Sequence, residues 1–255
     1  MSAPPDLNMR KNNRPQDGLR EVRIIPDQLD YADGSALIEM GKTRVMAAAT
    51  IEEKVPPFLK GKNIGWVTAE YAMLPRATTV RNQRDRAPGR VSGRTQEIQR
   101  LIGRSLRAVT DLRALGERQI IIDCDVLQAD GGTRSAAING GCVALALALK
   151  KLMDKGALAA MPLKNLAGAV SVGIVSDEIL LDLDYREDSN AEMDMNVVST
   201  DTGQLVEIQA SAEQRPFRKE EFNALLQLAE EGIKELIREQ TAVLKEKSML
   251  FMAYD

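Results

Sequence analysis

Two glycines followed by a threonine and an arginine, Gly131-Gly132-Thr133-Arg134, are the first candidates for chemistry in this 255-residue chain. They lie between a stretch typical of a buried strand and a stretch typical of a long apolar helix. Glycines let a backbone approach an anion closely, and the first amides of a helix favour negative charge. The Thr133 hydroxyl and the Arg134 guanidinium would add donors. The pattern predicts an anion site; the alternative is a tight turn in which Thr133 caps the helix.

Arginines dominate residues 76–107, which hold nine arginines, no lysine and two acids, a net charge of +7. Six of them crowd one predicted loop: Arg76, Arg81, Arg84, Arg86, Arg90 and Arg94. Exclusive use of arginine favours bidentate phosphate contacts, and many such contacts give affinity for nucleic acid. Because few aromatic residues accompany them, base stacking should be minor and binding weakly sequence-specific. The alternatives are a solvated basic loop, or a loop that pairs with acids in an oligomer.

Acids concentrate in residues 177–194, where eight acids and one arginine give a net charge of −7. We expect Asp182 and Asp184 to share one face of a strand, Asp188 to follow in a loop, and Asp194 to lie near the start of the next strand. A hairpin would bring Asp188 and Asp194 together. Paired carboxylates can hold Mg²⁺, or one of them can act as a general acid with a raised pKa. The alternative is a hydrophilic turn with solvated charges.

The chain contains no histidine. This excludes Ser-His-Asp and Cys-His nucleophiles, histidine general bases and histidine-ligated metals. The two cysteines, Cys124 and Cys142, predict neither a disulfide framework nor a zinc site. The polar N-terminus does not resemble a secretory signal, and no stretch is expected to be long enough to span a bilayer. A cytoplasmic location is therefore expected.

The spacing of apolar residues predicts the elements that would position these groups. In the first half we expect strands within residues 22–50 and at 66–73 and 119–127, and helices at 95–115 and 133–153. In the second half we expect hairpins at 169–185 and 193–210, and a closing helix at 218–247. Strands before helices in each half predict an α+β fold, in which two halves pack as sheets covered by helices.

Taken together, these segments resemble the RNase PH family of phosphorolytic 3′ exoribonucleases. The matching stretches run in the family's order over about residues 14–245, and include Phe58–Gly61, Gly65–Tyr71, Gly93–Ile102, Asp123–Arg134, Asp182–Tyr185 and Asp194–Val198. The resemblance implies two similar halves of mixed sheet with packed helices, a ribosomal protein S5 domain 2-like fold. It implies one domain at residues 14–247, with halves at about 14–155 and 156–247. Residues 1–13 would be a flexible extension and residues 248–255 a tail.

The resemblance also implies a reversible reaction, in which inorganic phosphate attacks the 3′-terminal phosphodiester of tRNA precursors and other RNA, and a nucleoside diphosphate is released. The implied residues are Asp188 and Asp194 for catalysis and Mg²⁺, Arg94, Gly132, Thr133 and Arg134 for phosphate, and Arg76, Arg81 and Arg84 for RNA. The family implies a homo-hexamer, a trimer of dimers.

A non-catalytic RNA-binding subunit of an exosome-like ring is the main alternative to the enzyme, and a Mg²⁺ phosphohydrolase that uses water is another. A non-catalytic subunit should lose the phosphate-binding residues or the acid pair, and both sets are present here. A hydrolase needs no second phosphate pocket. The residues therefore favour the enzyme.

Overall fold

The computed structural model describes residue 10 and residues 13–83 and 92–249. Five strands of the first half form one sheet: β1 (Val22–Pro26), β2 (Gly34–Met40), β3 (Thr43–Glu52), β4 (Trp66–Met73) and β5 (Gln119–Gln128). Their order is β1-β2-β3-β5-β4, and β4 runs parallel to β5 while the other pairs are antiparallel. Helices α1 (Gly93–Ala108) and α2 (Leu112–Leu115) connect β4 to β5. The carboxyl ends of these two strands therefore lie at the same edge.

Four strands of the second half form an antiparallel sheet in the order β7-β6-β8-β9. They are β6 (Ala167–Val175), β7 (Glu178–Leu181), β8 (Met193–Thr200) and β9 (Leu205–Ala212). The short helix α4 (Tyr185–Ser189) joins β7 to β8, and the long helix α5 (Lys219–Glu246) packs on β6 and β8. The α+β fold that the sequence predicts is confirmed.

Helix α3 (Thr133–Asp154) joins the two halves, because it packs on β2 and β3 of the first sheet and on β6 of the second. Nearly all of its residues are buried, in keeping with a helix that is apolar on all sides. Its length and hydropathy would suffice to span a membrane, so the expectation that no stretch would is wrong. In the fold, however, 83% of the apolar 18-residue stretch of this helix is buried inside the protein, as in the core helix of a globular protein.

Two predicted elements have different boundaries in the structure. The helix expected at residues 95–115 is interrupted after Ala108, because Thr110 pairs with Leu163 in an isolated β-bridge and the Asp111 carboxylate caps α2. The strand expected to reach Tyr185 ends at Leu181, because Asp182 adopts a left-handed conformation with φ of 54°. Asp182 and Asp184 therefore do not share a strand face, and Asp188 lies in a helix instead of a loop.

Candidate active site

A cleft of about 1390 Å³ lies between the two halves. The first half contributes the end of β4, the start of α1 and the turn before α3, and the second half contributes α4, β8 and β9. Six of the residues predicted from the sequence line this cleft: Arg94, Gly132, Thr133, Arg134, Asp188 and Asp194. The fold thus brings the predicted anion site and the predicted acid pair into one space.

The turn of residues 130–133, named here the glycine turn, has a backbone that requires glycine. Gly131 and Gly132 have φ angles of 78° and 64°, where a residue with a side chain is strained. A Cβ at Gly131 would also lie only 2.5 Å from the Leu183 carbonyl oxygen. Helix α3 begins at Thr133, with Gly132 as its N-cap, so the alternative in which Thr133 caps the helix is wrong. The first amides of a helix have no acceptor within it, and here they are donors at the cleft wall.

Thr133 is buried, and its Oγ1 accepts a hydrogen bond from the Tyr71 hydroxyl at 2.8 Å. Burial raises the pKa of Tyr71, so the phenol keeps the proton that it donates to Thr133. A threonine hydroxyl that accepts one hydrogen bond can still donate its own proton to another group. Tyr71 therefore orients Thr133 as a donor toward the cleft.

Arg94 and Arg134 supply the positive charge of the cleft. The Nη1 atom of Arg134 donates to Oε1 of Gln209 at 2.9 Å and lies 3.9 Å from Oε1 of Glu97. Arg94 is exposed near the start of α1. Burial raises the pKa of Asp188, and the charges of Arg134 and Arg94 oppose that rise. Both guanidinium groups therefore lie near the acid.

Asp188 and Asp194 reach the cleft from α4 and β8, respectively. Although the Asp188 side chain is exposed toward the cleft, the surrounding walls remove enough water to raise its pKa. Burial also raises the pKa of Asp194, and the negative charge of Asp188 raises it further. This repulsion indicates that the two carboxylates are neighbours. The predicted hairpin is wrong, because β6 lies between β7 and β8, and it is helix α4 that places Asp188 at the cleft.

Two carboxylates in one cleft are chemically suited to hold a magnesium ion. Mg²⁺ is commonly held by one or two protein carboxylates, with water and substrate phosphates as its other ligands. Within the described part of the chain, no group of three or more acids and cysteines is placed to hold a metal. Asp188 and Asp194 therefore provide a partial set of oxygen ligands, which a phosphate-containing substrate would complete.

The other two acids of the cluster have structural partners and do not line the cleft. Asp182 is fully buried, and its carboxylate accepts hydrogen bonds from the backbone amide, Nε and Nη2 of Arg20. Asp184 caps α4 by accepting from the Glu187 amide, while the Glu187 carboxylate accepts from the Asp184 amide. Of these four aspartates, only Asp188 and Asp194 thus line the cleft.

Comparison with known proteins finds matches to both halves. A family model described as the 3′ exoribonuclease family, domain 1, matches residues 18–151, and the model of domain 2 of the same family matches residues 165–232. The chain belongs to this family. It is 60% identical over 236 residues to the Ribonuclease PH of Moorella thermoacetica, covering 92% of this chain and 94% of that protein. It is 57% identical over 235 residues to the Ribonuclease PH of Syntrophomonas wolfei, covering 92% of this chain and 98% of that protein.

Solved structures share the fold of this 3′ exoribonuclease family member at lower identity. Rice (Oryza sativa) Rrp46 superposes with a TM-score of 0.74 at 19% identity, over 92% of this chain and all of that one. The Archaeoglobus fulgidus exosome with RNA bound to the active site superposes with a TM-score of 0.74 at 22% identity, over 91% of this chain and 92% of that one. An archaeal exosome core superposes with a TM-score of 0.73 at 21% identity, over 92% of each chain. These likenesses support the predicted RNase PH-type architecture.

Two of the three arginines predicted to hold RNA, Arg76 and Arg81, lie on the loop after β4. Arg76 and Arg81 are exposed, and Nη1 of Arg76 donates to the Thr79 carbonyl at 2.7 Å. Arg84, like Arg86 and Arg90, lies outside the described residues. The same loop lines the cleft through Leu74, Thr78, Asn82 and Gln83.

Three residues near the family's site were not assigned a role from the sequence. The Tyr71 hydroxyl orients Thr133, and the Tyr185 ring lines the cleft with 63% of its surface exposed. Both tyrosines end stretches that carry the family resemblance, which could have pointed to them. Arg20 is the third, and no local signal marks it, because its partner Asp182 lies 162 residues away in the chain.

Proposed function

We propose that this chain is a phosphate-dependent 3′ to 5′ exoribonuclease that trims the 3′ end of tRNA precursors, with inorganic phosphate as co-substrate. The observation that carries the proposal is the cleft, where a helix start and two arginines face a pair of acids. The relatives at 57–60% identity that are named Ribonuclease PH support the same activity.

The attacking phosphate would bind at the start of α3. Its oxygens would accept hydrogen bonds from the amides that follow Gly132, from the Thr133 hydroxyl, and from Arg94 and Arg134. The charges of both arginines offset the repulsion between this anion and the RNA phosphate. The bond between Arg134 and Gln209 holds the guanidinium in place beforehand, which lowers the cost of ordering it on binding.

In the reaction, a phosphate oxygen attacks the phosphorus of the last phosphodiester of the RNA. A P–O bond forms while the bond to the 3′ oxygen of the penultimate nucleotide breaks, so the terminal nucleotide leaves as a nucleoside diphosphate. The departing 3′ oxygen takes a proton, and whichever of Asp188 and Asp194 is not bound to metal could donate it, because burial raises the pKa of both acids. The step needs no protein nucleophile, in keeping with a chain that lacks histidine.

Asp188 and Asp194 would also hold Mg²⁺, which when bound neutralises charge that grows on the phosphoryl oxygens. Arg76 and Arg81, together with Arg84, would hold the RNA backbone as it enters the cleft. Contacts to phosphates position a strand without reading its bases, so this binding should depend weakly on sequence.

We further propose that six copies form a ring, a trimer of dimers, in the cytoplasm. The side of the first sheet that faces away from α3 leaves Met46 and Ile121 partly exposed beside Asp123 and Asp125, and a second copy could cover this mixed surface. The segments 14–155 and 156–247 would act as one unit in each copy, because both contribute to the cleft. Light scattering should give six times the mass of one chain, and a monomeric mass would reject the ring.

The activity can be tested by incubating the purified protein with a tRNA precursor that carries extra 3′ nucleotides, with and without phosphate. Chromatography should detect nucleoside diphosphates only when phosphate is present. Nucleoside monophosphates formed without phosphate would indicate a hydrolase, and RNA binding without products would indicate a non-catalytic subunit. An Asp188→Asn protein purified in the same way controls for contaminating nucleases.

A further inference from the structure

Arg20 connects the two sides of the cleft without lining it. It lies just before β1 and is 9% exposed. On the side of the second half, its Nε donates to Oδ2 of Asp182 at 2.9 Å, and its Nη2 donates to Oδ1 at 2.6 Å. On the other side, its Nη1 donates to the carbonyl of Asp130 at 2.6 Å, at the start of the glycine turn. One guanidinium group thus joins the segment before α4 to the segment before α3.

The segment before α4 is held in part by this contact, together with hydrogen bonds from Arg14 and Arg10 to its carbonyls. Asp182 has a positive φ, which costs free energy for a residue with a side chain and persists only when surrounding groups hold it. Two residues later, Asp184 is the N-cap of α4, and Asp188 lies within that five-residue helix. A shift of Asp182 would therefore be passed directly to Asp188.

The glycine turn is held from two directions. A Cβ at Gly132 would lie 2.8 Å from Nη2 of Arg20, so the turn and the guanidinium are in close contact. From the other direction, the Thr43 hydroxyl donates to the Gly131 carbonyl at 2.6 Å and accepts from the Asp130 amide at 3.0 Å. Loss of either support would move the amides that begin α3.

We propose that Arg20 is a positioning residue that fixes the phosphate-binding turn relative to Asp188, and that Thr43 supports the turn from its other side. This inference rests on the proposed phosphorolytic function. The attacking phosphate and the departing oxygen must be aligned, and a misplacement of about 1 Å can cost on the order of 100-fold in rate. Lysine could not replace Arg20, because its donors share one nitrogen, whereas Arg20 uses three side-chain nitrogens at once.

The test uses Arg20→Lys and Thr43→Val, with kcat and KM measured for phosphate and for RNA. By analogy with residues that support metal ligands, each variant should lower kcat/KM for phosphate roughly 10- to 100-fold. The KM for RNA should stay unchanged, because neither substitution disturbs the loop after β4 that carries Arg76 and Arg81. Thr43→Ser keeps the hydroxyl and should retain the wild-type KM for phosphate.

Gln240→Ala provides a control for general destabilisation. Gln240 is fully buried, and its Nε2 donates to Oδ1 of Asn139, six residues beyond the start of α3, and to the Ala167 carbonyl, without contact to the glycine turn itself. It should lower the melting temperature while the KM for phosphate stays unchanged. If Arg20→Lys does not fold, Thr43→Val and Thr43→Ser carry the test.

The outcomes separate this inference from the proposed function. Wild-type kinetics for phosphate in Thr43→Val would overturn the inference, as would an equal loss in Gln240→Ala at a matched melting temperature. If the wild-type protein released no nucleoside diphosphate, the proposed function itself would fail. A loss confined to phosphate kinetics in Arg20→Lys and Thr43→Val, with recovery in Thr43→Ser, would support the inference.

Discussion

Replacing Arg134 by glutamine tests the position of the attacking phosphate. In the structure, Nη1 of Arg134 is bonded to Gln209, and the guanidinium has further N–H donors that can serve an anion in the cleft. The side chain is only 19% exposed, so water screens its charge weakly. Glutamine keeps a polar group that can form a hydrogen bond with Gln209, but it removes the positive charge and the additional N–H donors of the guanidinium group.

The expected effect follows from the loss of one charge-assisted hydrogen bond. Such a bond contributes about 1.5–3 kcal/mol, and 1.4 kcal/mol corresponds to about a tenfold change in binding. The KM for phosphate should therefore rise roughly 10- to 150-fold in Arg134→Gln. The melting temperature should change little, because the bonds that begin α3 are made by the backbone.

The assay is the initial rate of nucleoside diphosphate release as a function of phosphate concentration, at saturating RNA. Arg104→Gln is a matched control, since Nη1 of Arg104 bonds Glu207 on the same strand as Gln209 but Arg104 does not line the cleft. An unchanged phosphate KM in Arg134→Gln would refute the assignment. An equal rise in Arg104→Gln would show that the effect is not specific to Arg134, since Glu207 also accepts a hydrogen bond from Gln209.

The acid pair, the arginine loop and the exposed tyrosine can be tested separately. Asp188→Asn should abolish turnover while filter binding still detects RNA; normal turnover would mean that another acid carries the role. Replacing Arg76, Arg81 and Arg84 together by glutamine should weaken RNA binding and reduce the slope of log affinity against log salt by about 2, and an unchanged slope would make these arginines structural. Tyr185→Ala should raise the KM for RNA roughly 5- to 150-fold if the ring stacks on a base. Tyr185→Phe should leave it unchanged, and equal KM values in both variants would exclude stacking.

The elements that position the site were largely predictable, because apolar periodicity marks a buried face. β4 and α3 begin where the sequence predicts. The interruption between α1 and α2 was missed because the apolar spacing continues through Val109 and Leu112. The β-bridge of Thr110 and the Asp111 cap, which separate the two helices, leave that spacing intact.

The acid cluster shows why site residues were harder to predict than strands. Asp182, Asp184, Asp188 and Asp194 have the same chemistry and lie within thirteen residues. What distinguishes them is a distant arginine for Asp182 and a helix cap for Asp184. A local pattern contains no information about a partner far away in the chain, so the sequence could not show that the carboxylate of Asp182 is taken up by Arg20.

The burial of α3 links ligand binding to the cooperativity of unfolding. The amides that would hold phosphate belong to a helix whose remaining length packs on both sheets, so this end cannot loosen without disturbing both halves. A chain cut after residue 155 would expose the side of α3 that now packs on β6, and neither fragment should fold or bind phosphate alone. In the intact protein, saturating phosphate should slow amide hydrogen exchange along the whole helix, because the ligand stabilises only the fully folded state.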